Sequence, residues 1–415
     1  MRFLQAFGRF TAGSIRIALH GSRAYYAWMA LLLAMVLVGV FAYTRQFTDG
    51  LIVTDLRDPV SWGFYIGNFT FLVGVAAAAV VLVIPAYVYH WKPIKELVIL
   101  GELLAISALA MCMLFVLVDM GRPDRLLHIL PLVGTQNLPH SLLAWDVVVL
   151  NAYFLLNLGV VTYLLVSLFR GREPNPRIFM PLVLLSIPMA VGIHTVTAFV
   201  YNGLPGRPFW NSAILAPRFL VSAFCSGPAI MLILLQILHR AAKIDIKIEA
   251  IWKIAELMAY AMFVNLFLLG AEVFKEAYSD THHLKHMRYL FFGLEGKNAL
   301  VPWAWASVVC SIAAFVLFLV PRFRKNIVTL NLGCVLIFLG VFIEKGVGLV
   351  VPGYTPSVLG EIYEYYPSWV EIAVSAGIFG VGGLLFTLMS RAVSYTHLTL
   401  PTTCNLCRSR WSAYH

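Results

Sequence analysis

Residues 193–227 read IHTVTAFVYNGLPGRPFWNSAILAPRFLVSAFCSG. Two apolar runs flank a tight turn rich in Pro, Gly and Trp, and a histidine sits inside the first run. His194, Thr197 and Tyr201 fall at i, i+3 and i+7, so on a helix they share one face. Ala198, one turn beyond the histidine, leaves room beside it. This is the pattern of a membrane hairpin whose first helix forms one wall of a site near the membrane surface. Such a wall suits a ligand with a polar head and an apolar tail.

The rest of the chain has the same character. It is 415 residues long, 60% hydrophobic and 12% charged, against about 25% charge in a soluble domain. The expected fold is therefore all-α and polytopic. Ten runs approach the ~20 apolar residues that a membrane helix needs: 25–43, 62–89, 97–119, 142–169, 178–201, 213–238, 252–274, 301–320, 328–350 and 368–390. Residues 1–24 read as a basic, amphipathic lead-in on the cytoplasmic side, 25–393 as the transmembrane domain, and 394–415 as a foreign tail. In that tail, VSYTHLTLPT resembles translated sequencing adapter, so Cys404 and Cys407 are set aside.

The net charge of +10 is spread in short clusters between apolar runs, which is a topology signal and not a nucleic-acid footprint. One set of alternate connections, starting with the N-terminus, carries 17 Lys and Arg; the other carries 10, with Arg218 counted among them. The positive-inside rule then places both termini in the cytoplasm, and the expected location is the inner membrane. The opposite loops, 44–61, 120–141, 202–212, 275–300 and 351–367, are richer in Pro, Gly, His, Tyr and acids and suit a docking partner.

Intramembrane ionisable groups are costly and point to function. At the outer ends of helices 2–5 the sequence gathers Trp62, Tyr65, Asn68, Asp119, His140, Asp146, His194, Thr197 and Tyr201. A quinone needs such a place: donors for two carbonyls, an apolar slot for the ring, and groups that move two protons per two electrons. A histidine beside carboxylates can do this, because imidazole titrates near neutral pH. The blander readings are a satisfied core histidine, interface-belt aromatics, a cap at His140, and a plain helix stop at Asp119-Met-Gly-Arg-Pro. Glu102, Asn151 and Asn157 could thread a proton path through the first bundle. Glu256, Glu272, Asn265, Asn331, Glu344 and Lys345 form a comparable set in the second. Glu344 and Lys345 are adjacent, so they should face about 100° apart on a helix and pair elsewhere.

The acids also suggest a repeat. Glu102 and Asp119 bracket the third helix as Glu256 and Glu272 bracket the seventh. A four-helix period gives two four-helix bundles, helices 2–5 and 6–9, flanked by helices 1 and 10. The six cysteines show neither haem-attachment nor iron–sulfur spacing, and only His194 lies deep enough to serve as an axial haem ligand. No haem, cluster or metal site of its own is expected.

Five stretches carry a resemblance: WGFYIGNFTFLVGVAAAA (62–79), DMGRPDR (119–125), SLLAWDVVVLNAYFLLN (141–157), residues 193–229, and FIEKGVGLVVPGYTPSVLGEIYEYYPSWVEI (342–372). Together they resemble the NrfD/polysulfide-reductase membrane-subunit family, in its ten-helix branch, and within it most of all the membrane subunit associated with sulfite reduction. The resemblance implies an integral subunit that exchanges electrons between menaquinone or ubiquinone and a ferredoxin-like iron–sulfur subunit on the periplasmic face. Further redox subunits, and coupling to proton movement, would complete the complex. It carries Asp119, Asp146 and His194 over as quinone or proton residues, with Tyr65 and Asn68 as weaker matches. Two rivals stand beside it: a passive anchor, and a secondary transporter with helices broken at Pro188, Gly192 and Pro228.

Overall fold

A computed structural model describes residues 2–91, 94, 97–129, 133–242, 246–280 and 282–399. Of the tail set apart above, residues 400–415 lie outside the described residues and 394–399 continue the last helix. Among the described residues every long element is helical, and pairing is limited to two isolated bridges in loops. This follows from the solvent: in hydrocarbon a backbone must satisfy its own polar groups.

Ten helices are long and apolar enough to span a membrane. In order they are Arg23–Asp49, Phe64–Val88, Val98–Asp119, Leu142–Phe169, Pro176–Asn202, Leu215–Arg240, Ile248–Ser279, Val301–Leu319, Ile327–Tyr354 and Trp369–Val393. They are numbered spans 1–10 below, and the end opposite the two termini is termed outer. Polar side chains fix where several begin. Ser22, Ser141, Asn175 and Asn326 accept from the first-turn amides of spans 1, 4, 5 and 9. A preceding helix, Arg2–Ala18, rests on spans 4 and 10, with Phe10 edge-on to Phe169 at 5.7 Å.

Spans 2–5 close into one ring of neighbours, 2 on 3, 3 on 4, 4 on 5 and 5 on 2, and spans 6–9 close into another. The two rings meet where spans 2 and 5 pack on span 6, and span 9 on span 2. Spans 1 and 10 pack on each other, and span 10 packs on span 3, so the pair flanks the first bundle. Their contact is built from small residues. A Cβ on Gly39 would lie 2.5 Å from the Gly377 Cα, which leaves room for hydrogen only.

Two expectations need correcting. Pro181 and Pro188 sit inside an unbroken span 5, and Pro228 inside an unbroken span 6. In membrane helices neighbouring groups compensate for the missing amide, so proline need not interrupt them. The interruptions fall elsewhere: span 2 passes into a π-helical turn at Ile84–Val88, and span 9 breaks at Gly346 between Ile327–Lys345 and Val347–Tyr354. Gly67 packs on that break, where a Cβ would meet the Gly346 backbone at 3.2 Å. Arg218, counted above as a loop charge, is instead buried within span 6.

Candidate functional site at the outer end of the first bundle

The stripe on span 5 is real: His194, Thr197 and Tyr201 are all buried. Each is engaged differently. Thr197 Oγ1 donates to Asp146 Oδ1 at 2.6 Å, tying span 5 to the first turns of span 4. Tyr201 Oη lies 2.5 Å from Thr70 Oγ1 on span 2. Thr70 spends its one hydroxyl proton on the Ile66 carbonyl, so Tyr201 is the donor in that pair. His194 Nδ1 lies 2.6 Å from the Ala190 carbonyl. A carbonyl only accepts, so Nδ1 carries the proton, and Nε2 of the neutral ring is an acceptor. Nε2 is buried and closes no hydrogen bond.

Spans 1, 2 and 3 supply a second wall. Tyr65 Oη donates to Gln46 Oε1 at 2.7 Å, and Gln46 Nε2 donates to the Val118 carbonyl at 2.6 Å. Next to Val118, Asp119 keeps one buried carboxylate oxygen without a protein partner. Asn68 donates to the Phe64 carbonyl, and its own Oδ1 is likewise buried and unpaired. Buried polar atoms without partners are rare and ask for a reason. At this end three of them, on Asn68, Asp119 and His194, belong to the residues singled out from sequence.

An aromatic wall stands over these groups. Trp62 stacks on Trp210 at 5.8 Å and meets the edge of Tyr201 at 5.7 Å; Trp210 meets Tyr354 at 5.0 Å. Trp210 Nε1 donates to the Leu349 carbonyl at 2.9 Å, pinning the 202–212 turn to the outer half of span 9. The Arg207 guanidinium lies 4.5 Å over the Tyr354 ring. Span 10 adds Glu371, which is fully buried and accepts from Tyr365 Oη and from the Asp55 and Ser368 amides. Burial first, then the Glu371 carboxylate, push the Tyr365 phenol well above the ordinary tyrosine range.

Other sequence candidates lie apart. His140 is exposed and outside the buried set. Asn151 is exposed on span 4 and bonds its own helix at the Val147 carbonyl. Glu102 and Asn157 are buried, and Glu102 Oε2 has no partner. Glu256 is a half-exposed inner-end acid near Lys253 and Arg324, at 3.5 and 3.8 Å. Asn151 and Glu256 therefore join no buried thread.

The second bundle holds a charged cluster. Arg218 pairs with both Glu272 and Glu344, the latter at 2.7 Å, and Asn265 donates to Glu344 at 3.2 Å. Lys345 Nζ lies 3.5 Å from Glu344, so these neighbours do pair, contrary to the 100° argument. The reason is the break at Gly346: Lys345 is the last residue of its helix, and its flexible stem swings back. Two cations and two anions leave the cluster neutral, as burial demands. Lys345 and His194 also border one cavity with Thr70, Ser222 and Ser226, with space for about one water. Among the described residues, no three His, Cys, Asp or Glu side chains come together as a metal site.

The geometry defines a polytopic membrane protein with buried imidazole, carboxyl and hydroxyl groups beside an aromatic wall, at one end of its first helical bundle. The chain belongs to the polysulphide reductase, NrfD family, whose profile matches residues 52–356. It is similar to the Hdr-like menaquinol oxidoreductase integral membrane subunit of Archaeoglobus fulgidus, with 26% identity over 89% of this chain and 95% of the relative. It is also similar to a selenate reductase subunit of Mesobacillus selenatarsenatis, 25% identical over 88% and 93% of the two chains. A third relative is the menaquinone reductase integral membrane subunit of Nitratidesulfovibrio vulgaris, 22% identical over 88% and 91%.

Proposed function

We propose that this chain is the quinone-reactive membrane subunit of a respiratory oxidoreductase complex. It passes electrons between a menaquinone or ubiquinone pool and an iron–sulfur subunit seated on the outer loops. The complex lies in the inner membrane, with both termini cytoplasmic and the partner on the periplasmic side. The observation that carries this reading is the set of buried, unpaired acceptors on His194, Asp119 and Asn68, beside the Asp146–Thr197 pair.

The chemistry follows from those atoms. Quinol oxidation releases two electrons and two protons. Nε2 of a neutral His194 can accept one hydroxyl proton as its electron leaves, and an ionised Asp119 or Asp146 can accept the other. The reverse reaction runs the same transfers backward. The cavity beside His194 holds about one water, so a quinone ring reaches Nε2 only when side chains that line it, such as Phe71 and Phe219, move. The water-sized cavity borders the Thr70, Ser222 and Ser226 hydroxyls, so one water there can take the proton from His194.

His194→Ala tests the site. Loss of a positioned base costs about 10²–10⁴-fold in rate. The variant complex should assemble with its iron–sulfur partner and lose quinol-dependent electron exchange by that factor. Full activity in the assembled variant refutes the site and favours a passive anchor. Purification without quinone or a redox partner, together with solute-coupled uptake in vesicles, favours the transporter.

A further inference from the structure

A larger cavity, of about 250 Å³, opens at the inner end of the second bundle. It lies between the last turn of span 6 and the first turns of spans 7 and 9. Gln236, His239 and Arg240 line one side, and Ile246, Ile248 and Ile251 the other, with Ile327 of span 9 closing it. Gln236 is held in place by a reciprocal pair with Asn331, at 2.6 and 3.0 Å.

Three features give the cavity its chemistry. Among the described residues, Arg240 makes no ion pair or hydrogen bond, whereas Arg324 and Lys325 at the same end are engaged. Arg324 pairs with Glu256 and bonds the Phe318 carbonyl, and Lys325 stacks on Trp252. Span 7 begins at Ile248 behind Lys247, which makes no side-chain cap; the Ala250 amide donates to the Lys247 carbonyl at 3.0 Å, and the Ile248 and Glu249 amides beside the cavity have no cap. The exposed Glu249 is the one acid in that turn and weakens the positive field without cancelling Arg240 and Lys247. Four isoleucines make the remaining wall apolar, and Ile237 and Ile248 are exposed toward the bilayer.

We infer that this cavity binds an anionic phospholipid of the surrounding leaflet, its phosphate at Arg240 and the start of span 7, its acyl chains along the isoleucines. Basic pockets between membrane helices suit anionic headgroups. The size agrees: the volume is many times the ~10–15 Å³ that one water needs, enough for a phosphate with its glycerol but not for a whole lipid. The chains must therefore lie outside, where Ile237 and Ile248 are exposed. A free phosphate would satisfy the cationic side but leave the isoleucine wall unused.

The test uses the full chain in detergent, delipidated, with phosphatidylglycerol, phosphatidylcholine or inorganic phosphate added and bound lipid read by native mass spectrometry. Phosphatidylglycerol should bind at least tenfold more tightly than phosphatidylcholine, and millimolar inorganic phosphate should not displace it. Arg240→Gln should weaken phosphatidylglycerol about fivefold, the worth of one basic residue at a membrane surface, with an unchanged melting temperature. If that variant unfolds, His239→Gln with a salt titration replaces it, and binding must then weaken as salt rises. Equal binding of the two lipids, displacement by inorganic phosphate, or unchanged affinity in the variants overturns the proposal.

Discussion

Thr197 holds Asp146 through a single hydroxyl, so Thr197→Val removes the donor and keeps the shape. A hydrogen bond to a charged group contributes about 1.5–3 kcal/mol, which corresponds to roughly 10–100-fold in rate if it is needed in the transition state. Quinol turnover of the purified complex should fall by that factor with expression unchanged; wild-type turnover would remove Asp146 from the chemistry. Arg218 poses a question of stability. Breaking a buried ion pair from one side costs about 3–5 kcal/mol, because the carboxylates are left uncompensated. Arg218→Met should therefore lower the melting temperature in detergent sharply, and adding Glu344→Gln should restore part of it. An unchanged melting temperature would mean that water already reaches Glu272 and Glu344.

Among the elements, the aromatic wall depends on one glycine in the outer half of span 9. A Cβ at Gly353 would lie 1.9 Å from the Trp210 ring, so Gly353→Ala must push Trp210 off Tyr354. The expected result is a shifted tryptophan emission and a raised KM for quinol, with the subunit still inserted; an unchanged spectrum would show that the wall yields without cost. The span 5 stripe was legible in sequence because helical period alone brings His194, Thr197 and Tyr201 to one face. Asp146 and Asn68 were found by their depth along a span. Depth says nothing of azimuth, which is why Asn151 passed as a path residue although it points outward. Gln46, Thr70 and Glu371 escaped notice for a related reason. Each looks like an ordinary end-of-helix polar residue until tertiary packing sets it beside Tyr65, Tyr201 or Tyr365. Hydropathy located all ten spans, but the break at Gly346 could not be read, since glycine is common within membrane helices.

At the scale of the molecule, ten spans put both termini on one side of the membrane. A cysteine introduced at Leu359, 87% exposed in the outer loop, should react with an impermeant maleimide added to spheroplasts, while one at Arg172 should not. The opposite pattern would invert the topology and move the partner to the cytoplasm. Leu359 and Val358 are also the most exposed apolar pair of that loop. The proposed partner should therefore shield Leu359 from the reagent in the intact complex. The seam between spans 1 and 10, closed at Gly39 and Gly377, has a bearing on biosynthesis. Of the ten spans, the first and the tenth to leave the ribosome are the ones that must meet, and the tenth brings Glu371, which anchors the 54–68 segment through Asp55 and Tyr365. An interrupted translation product thus carries every residue of the span 5 stripe yet lacks the anchor behind Tyr65 and Phe64. Only a chain inserted through span 10 completes the proposed quinone end, so premature termination should yield a silent subunit and not a leaky one.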